Sequence, residues 1–343
     1  MKYDVTIGIP VYQSVDYIKR TIESVLSQTF LSLEILVIDD CGRDGSISVV
    51  EDYQRKHIRG KDIRILYNEK NYGVGFSRNR IIDEARGFYL FFLDSDDCIE
   101  SNTIQSLFDV ISYSRSQIVY GSYKIIDCIQ NNKPIIYQKP YLELNGEGKL
   151  AEFAYRYSNV FQISACNFLI DLQFLRTSGV RFVNMSYWED MAFTYEMVTK
   201  VSKAILLPNI TYHYIKHLNS LSHFQNRNYY CKSEILKNIS IIDYLKDKCR
   251  GYKGKNYLPY LCYRLEVNSF YVICYVLKHY SHISPRIPVL ELRDYLHFPV
   301  SFLWVLKFKS KFIHNMAFWI LAHLPVWLFE KIIYLLGKLK GLI

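Results

Sequence analysis

The chain has 343 residues and a formal net charge of +9, with half of its residues hydrophobic and 22% charged. That composition supplies apolar surface for a large core and excludes a disordered chain. No helix-turn-helix, RNP-like or zinc-finger pattern accompanies the positive charge, which leaves an anionic membrane or a phosphorylated substrate, rather than nucleic acid, as the partner.

The first hundred residues alternate between two periodicities. Residues 5–9 form an apolar run stopped by Pro10, and 16–28 place Ile18, Ile22, Val25 and Leu26 at helical spacing. Residues 34–38 read as a buried strand ending on Asp39-Asp40, 46–57 as a helix, 63–67 as a strand and 75–85 as a helix. Residues 88–93 read as a strand ending on Asp94. This rhythm predicts an α/β fold with a mostly parallel sheet and helices on both faces. The polar clusters Pro10-Val11-Tyr12, Asp39-Asp40 and Asp94-Ser95-Asp96 all follow strand ends. In open parallel sheets the ligand crevice lies there, so the three point to one site.

Farther along, 101–114 reads as a helix, and 117–126 with 134–137 as a hairpin. Residues 164–216 return to the core, with strands near 166–170 and 205–214 around a helix opening at Asp190. From about residue 223 the pattern is helical. Residues 302–313 and 315–340 mix Trp, Phe and Leu with Lys, and the apolar run 316–329 is only about 14 residues, against the roughly 20 of a membrane-spanning helix. Basic, aromatic segments of this kind lie in a membrane interface or pack onto the protein itself or a partner. Eight cysteines without CxxC spacing indicate a reducing compartment, and MKYDVTIGIP lacks a signal-peptide apolar region, so the expected location is cytoplasmic.

The sharpest chemical signal is Phe91-Phe92-Leu93-Asp94-Ser95-Asp96-Asp97, an apolar strand ending in three carboxylates. Such charges repel unless a cation sits among them, and a hard divalent ion shared with substrate phosphates meets that need. Glu189-Asp190 opens an amphipathic helix, where acids either cap the helix or serve as a base. Gly73-Val74-Gly75 lacks the third glycine of a dinucleotide fingerprint and does not follow the first strand.

Taken in order, VTIGIPVYQ (5–13), ESVLSQTFLSLEILVIDDCGRDGS (23–46), NYGVGFSRNRIIDEARGFYLFFLDSDD (71–97) and YWEDMAF (187–193) resemble the motifs of family 2 glycosyltransferases. The resemblance implies a GT-A fold and an inverting transfer from a nucleotide sugar, with a UDP-sugar as donor. By that resemblance Pro10, Val11 and Tyr12 line the base and ribose pocket, and Asp39 accepts from the uracil imide with Asp40 beside it. Asn71, Gly73 and Arg78 close the nucleotide pocket, Arg78 pairing with an acid or a phosphate oxygen. Asp94 and Ser95 meet the donor, and Asp96 binds Mn²⁺ or Mg²⁺, with Asp94 and His213 as further candidate ligands. Lys216 or Ser220 contacts phosphate. Asp190 is the base and Glu189 orients the acceptor. Gln13 departs from the Asn usual in the family.

The expected organisation is a transferase domain over 1–222, a helical extension over 223–298 and membrane-associating helices over 299–343. The acceptor is a glycan or lipid-linked glycan at the inner face of the cell membrane, in polysaccharide assembly. A sugar nucleotidyltransferase would want a basic glycine-rich loop where GIPVYQSVD stands, and an inactive glycan-binding scaffold would not need Asp94, Asp96 and Asp190 together.

Overall fold

A computed structural model of the chain describes residues 3–130, 132–157, 160–185, 188–218 and 230–343. Two compact units divide it, one made of 1–150 and 157–221 and the other of 151–156 and 222–343. The stretches expected as a helical extension and as tail helices therefore fall together in the second unit.

The first unit begins with β1 (Tyr3–Val11), α1 (Ile18–Leu26), β2 (Leu33–Asp39), α2 (Ser46–Lys56), β3 (Ile63–Tyr67), α3 (Val74–Glu84) and β4 (Gly87–Phe92). Each differs from its sequence expectation by no more than two residues at either end. β1 and β2 are buried on both faces, as near-continuous apolar runs require. Then follow β5 (Cys98–Ile99), α4 (Thr103–Ser114), β6 (Ile118–Asp127), β7 (Ile135–Tyr137) and β8 (Leu142–Asn145), and after them α5 (Lys149–Arg156), most of which belongs to the second unit. β9 (Phe168–Asp171), α6 (Leu172–Ser178), α7 (Glu189–Lys200) and β10 (Lys203–Lys216) complete the first unit.

One sheet runs β3-β2-β1-β4-β9-β6-β10-β5, with β7 beside β6 and β8 beside β10. It is mixed rather than mostly parallel. β1, β2, β3 and β4 pair in parallel, but β9 lies antiparallel to both β4 and β6. Two reversals restore the direction, so β6 and β10, themselves parallel, run the same way as β4. The carboxyl ends of β1, β2, β4 and β10 therefore open on one edge of the sheet. β1 outruns β4, whose pairing ends at Gly8 with Phe92, so Pro10 beyond it lacks an N–H where no ladder bond is due. β6 and β10 approach closely at Gly121, where an added Cβ would overlap the Thr211 side chain.

The second unit comprises β11 (Tyr230–Cys231), α8 (Lys232–Lys248), α9 (Leu258–Lys278), β12 (Ile283–Ser284), α10 (Val289–Asp294), α11 (Phe302–Val305), α12 (Phe312–His323) and α13 (Val326–Leu339). It is helical as expected, apart from the two-residue parallel pair of β11 and β12. Inside it Lys246 Nζ lies 2.9 Å from Glu266 Oε1, both side chains fully buried. Lys246 also donates to the Tyr295 and His297 carbonyls, so the ammonium is matched by a charge and two dipoles. Among the described residues no helix is long and apolar enough to cross a membrane.

Candidate active site

The acidic loop after β4 sorts its side chains by burial. Asp97 turns inward, accepting from the Tyr212 hydroxyl at 2.6 Å and the Ile215 N–H at 2.8 Å. Burial, and then the charges of Asp96 and Asp94, push its carboxyl well above the usual range. Ser95 shares a 2.6 Å hydrogen bond with Ser14, and Thr21 donates to the Ser95 and Asp97 carbonyls. These contacts fasten the loop to the segment after β1 and leave two carboxylates, Asp94 and Asp96, each 33% exposed.

Arg78, projecting from α3, is the buried cation of the site. Its guanidinium gives 2.7 Å to Asp94 Oδ1 and 2.8 Å to Glu189 Oε1, and it lies 5.4 Å from the Phe182 ring. Two carboxylates and a ring face compensate a charge that could not be buried alone. Of the two partners expected for Arg78, an acid or a phosphate oxygen, its contacts here are with acids. The side chain is 5% exposed and its pairing groups go to the two acids.

Glu189 and Asp190 begin α7 directly after Trp188, which holds φ 60°. A bulky residue at positive φ stores strain that its surroundings must hold. Asp190 is half-buried and accepts the Met191 N–H at 2.7 Å. Its carboxyl is pushed up to about 7, first by burial and then by the neighbouring Glu189 charge, against the pull of Arg78. A carboxyl that exchanges its proton near neutrality is suited to general-base work.

The loop after β2 splits its acid pair. Asp39 is half-buried and accepts the Gly42 N–H at 3.2 Å. Asp40 is buried and fully engaged, accepting from Asn68 at 2.7 Å, the Tyr72 N–H at 3.0 Å and the Gly73 N–H at 2.8 Å. It shapes the turn before α3, with Oδ1 accepting two of these bonds and Oδ2 one. Gly73 takes φ 90° and ψ 160°, a combination essentially closed to other residues. Asn71 stands exposed and accepts from the same Gly73 N–H at 2.9 Å.

Pro10 and Val11 lie buried within β1 and cannot line an open pocket with their side chains. Tyr12, 43% exposed, is the part of that cluster that faces solvent. His213 is also displaced from its expected role. Its Nε2 is 2.6 Å from Glu100 Oε1, which in turn receives Lys124 at 3.1 Å. It stands within β10, opposite Cys98, whereas the site gathers past the strand ends. The imidazole that meets the acidic loop is His217, immediately after β10, with Nε2 2.8 Å from Asp96 Oδ2. Its ring stacks on Tyr17 at 3.9 Å between centroids, and Arg20 donates to the Asp96 carbonyl at 3.0 Å. Neither His217 nor Tyr17 was among the expected site residues. The strand-end rule that selected Asp39 and Asp94 also favours His217 over His213, once β10 is allowed to continue to Lys216. Ser220 lies outside the described residues.

The pattern of Glycosyl transferase family 2 matches residues 6–177, and the chain belongs to that family. Cholesterol galactosyltransferase of Borreliella burgdorferi is 26% identical over 230 residues, covering 64% of this chain and 62% of the relative. Chondroitin synthase of Escherichia coli is 35% identical over 124 residues, 36% of this chain and 18% of that protein. The chain thus spans less than two thirds of the length of either. A crystal structure of S. aureus TarS 1–349 in complex with UDP-GlcNAc superposes with a TM-score of 0.64 at 16% identity, covering 98% of this chain and 92% of that one. That likeness establishes the GT-A fold.

Proposed function

We propose that the chain transfers a sugar from a UDP-sugar to a hydroxyl of a glycan or lipid-linked glycan, inverting the anomeric centre, in polysaccharide assembly. The observation that carries this reading is the Arg78 bridge between Asp94 and Glu189. It supports a single site in which donor and acceptor groups meet. Asp190, poised near neutrality, takes the proton from the attacking hydroxyl. Glu189, held by Arg78, orients the acceptor. Tyr12 and Asp39 contact the base and ribose, and Asn71 and Gly73 border the same pocket. The TarS complex with UDP-GlcNAc supports a UDP-linked donor, and the galactosyltransferase relative named for cholesterol supports a lipid hydroxyl as acceptor.

Asp96 and His217 offer an oxygen and a nitrogen donor 2.8 Å apart, with Asp94 two residues away. Among the described residues no cluster of three or more His, Cys, Asp or Glu side chains forms a closed metal cage. A two-donor set open to substrate phosphates fits Mn²⁺ or Mg²⁺. When bound there, the ion neutralises charge on the departing diphosphate.

The helices over 299–343 are the expected contact with an anionic membrane surface at the inner face of the cell membrane. Leu303, Ile313, Trp327, Leu335 and Leu339 are exposed on them, and Lys307, Lys331 and Lys338 lie over the rings of Trp304, Trp327 and Tyr334. Exposed apolar groups rimmed by lysines suit a headgroup boundary.

Calorimetry of UDP and GDP with and without Mn²⁺, on the wild type and on Asp96→Ala, tests the donor site. Metal-dependent UDP binding that disappears in the variant is expected. A preference for GDP would change the donor class, and metal-independent binding in both proteins would remove Asp96 from the metal.

A further inference from the structure

The second unit contains a cavity of ≈590 Å³ that the transfer reaction does not use. Arg250, Lys253 and Arg293 line it, and among the described residues Asp294 is the only acid that does. That acid neutralises little, since Arg293 lies 3.7 Å from Asp294 Oδ1 and the carboxylate is mostly exposed. Arg250 meets Asp247 at 3.6 Å with both side chains about three-quarters exposed, another weak pair. The cavity therefore carries a surplus of positive charge.

Its other wall is aromatic. Trp319 stacks on His323 at 3.9 Å and meets Phe302 at 4.7 Å. Ser301 precedes α11 without a side-chain capping bond, so its hydroxyl adds a polar group to the lining. Phe302 lines the cavity while remaining exposed, and Leu303 and Leu306 beside it are 70% and 49% exposed. Cations and aromatic rings in the lining, with exposed Leu303 and Leu306 just after Phe302 in the chain, match a ligand that joins an anionic group to hydrocarbon. A soluble sugar phosphate would satisfy the cations and leave those leucines wet.

We propose that this cavity binds the phosphate group of an anionic lipid, whose hydrocarbon chains run over Phe302, Leu303 and Leu306. The inference rests on the membrane association proposed above and adds a headgroup site to it. Arg250, Lys253 and Arg293 hold the phosphate through charge-assisted hydrogen bonds.

Flotation of the full chain with phosphatidylcholine vesicles tests it, the vesicles carrying either phosphatidylglycerol or oleate at matched surface charge. The wild type is expected to prefer phosphatidylglycerol. The double variant Arg250→Gln/Arg293→Gln should lose roughly 25-fold in binding, about fivefold for each cation, together with that preference. Lys309→Gln/Lys340→Gln removes equal charge outside the cavity and should keep the preference. If both double variants weaken alike and both keep it, the headgroup site is wrong while membrane association stands. If the wild type floats with no vesicle, both fail. Inorganic phosphate bound by the wild type alone, without any vesicle binding, would also overturn the lipid assignment in favour of a soluble phosphate.

Discussion

In its proposed role as base, Asp190 would serve chemistry at the expense of stability. Its carboxyl is held at about 7 in the fold, chiefly by burial, against 3.8 for a freely exposed aspartate. Between these values the folded protein keeps a proton that the unfolded chain releases. Stability is therefore fullest below about pH 4, falls as pH rises toward about 7, and stays reduced above that. Asp190→Asn removes this cost. The variant should be more stable than the wild type at about pH 8, with the difference vanishing near pH 4, while turnover drops by roughly 10²–10⁴-fold. Denaturant unfolding at the two pH values and a transfer assay read both halves, and equal stability throughout would contradict the burial argument. In the wild type, kcat/KM should rise with pH and level off above about 7 as the base loses its proton. Gln13 obeys a simpler rule. It holds φ 48°, a region that Asn occupies more readily than Gln, which accounts for the family's usual Asn without assigning its side chain a role.

The turn entering α3 is the clearest case of backbone acting as a functional part. Gly73 sits where no side chain is tolerated, and its N–H is shared by Asp40 and Asn71. Gly73→Ala would meet no neighbouring atom, so its cost is conformational, about 1–3 kcal/mol. A lowered unfolding midpoint together with weaker UDP binding is expected, and an unchanged midpoint would show that the turn relaxes freely. The elements from Tyr3 to Phe92 were legible in the sequence because each buries a run or stripe of a single period, as Ile18, Ile22 and Val25 do. β10 was less so. Its register shifts between Leu206 and Ile210 and again before Tyr212, and it runs two residues past the expected end. The segment from Thr211 to Ser220 holds both His213 and His217, and only the fold separates the one paired with Glu100 from the one that meets Asp96. Asp40 and Arg78 were recognised as site residues, but their partners are not neighbours in sequence. Asn68 and Glu189 come to them only through the fold.

At the scale of the whole molecule, the positive charge lies in the second unit, the first being slightly acidic, and there lysines alternate with exposed apolar residues. Association with anionic vesicles should therefore weaken as salt rises, since charges are screened beyond about 10 Å near 0.1 M ionic strength. Flotation across a salt series checks this, and binding indifferent to salt would assign the attachment to the apolar residues alone. The sheet carries a different constraint. Arg78 is shared by an acid from the loop after β4 and an acid from α7, which lie 95 positions apart in the chain. Losing either carboxylate leaves a buried guanidinium half-matched, so neither motif can drift independently of the other. Recombination among relatives thus meets an indivisible set of three residues. A chimera that borrows an acceptor-side segment for a new specificity must import a compatible Glu189, or rebuild Arg78 and Asp94 with it.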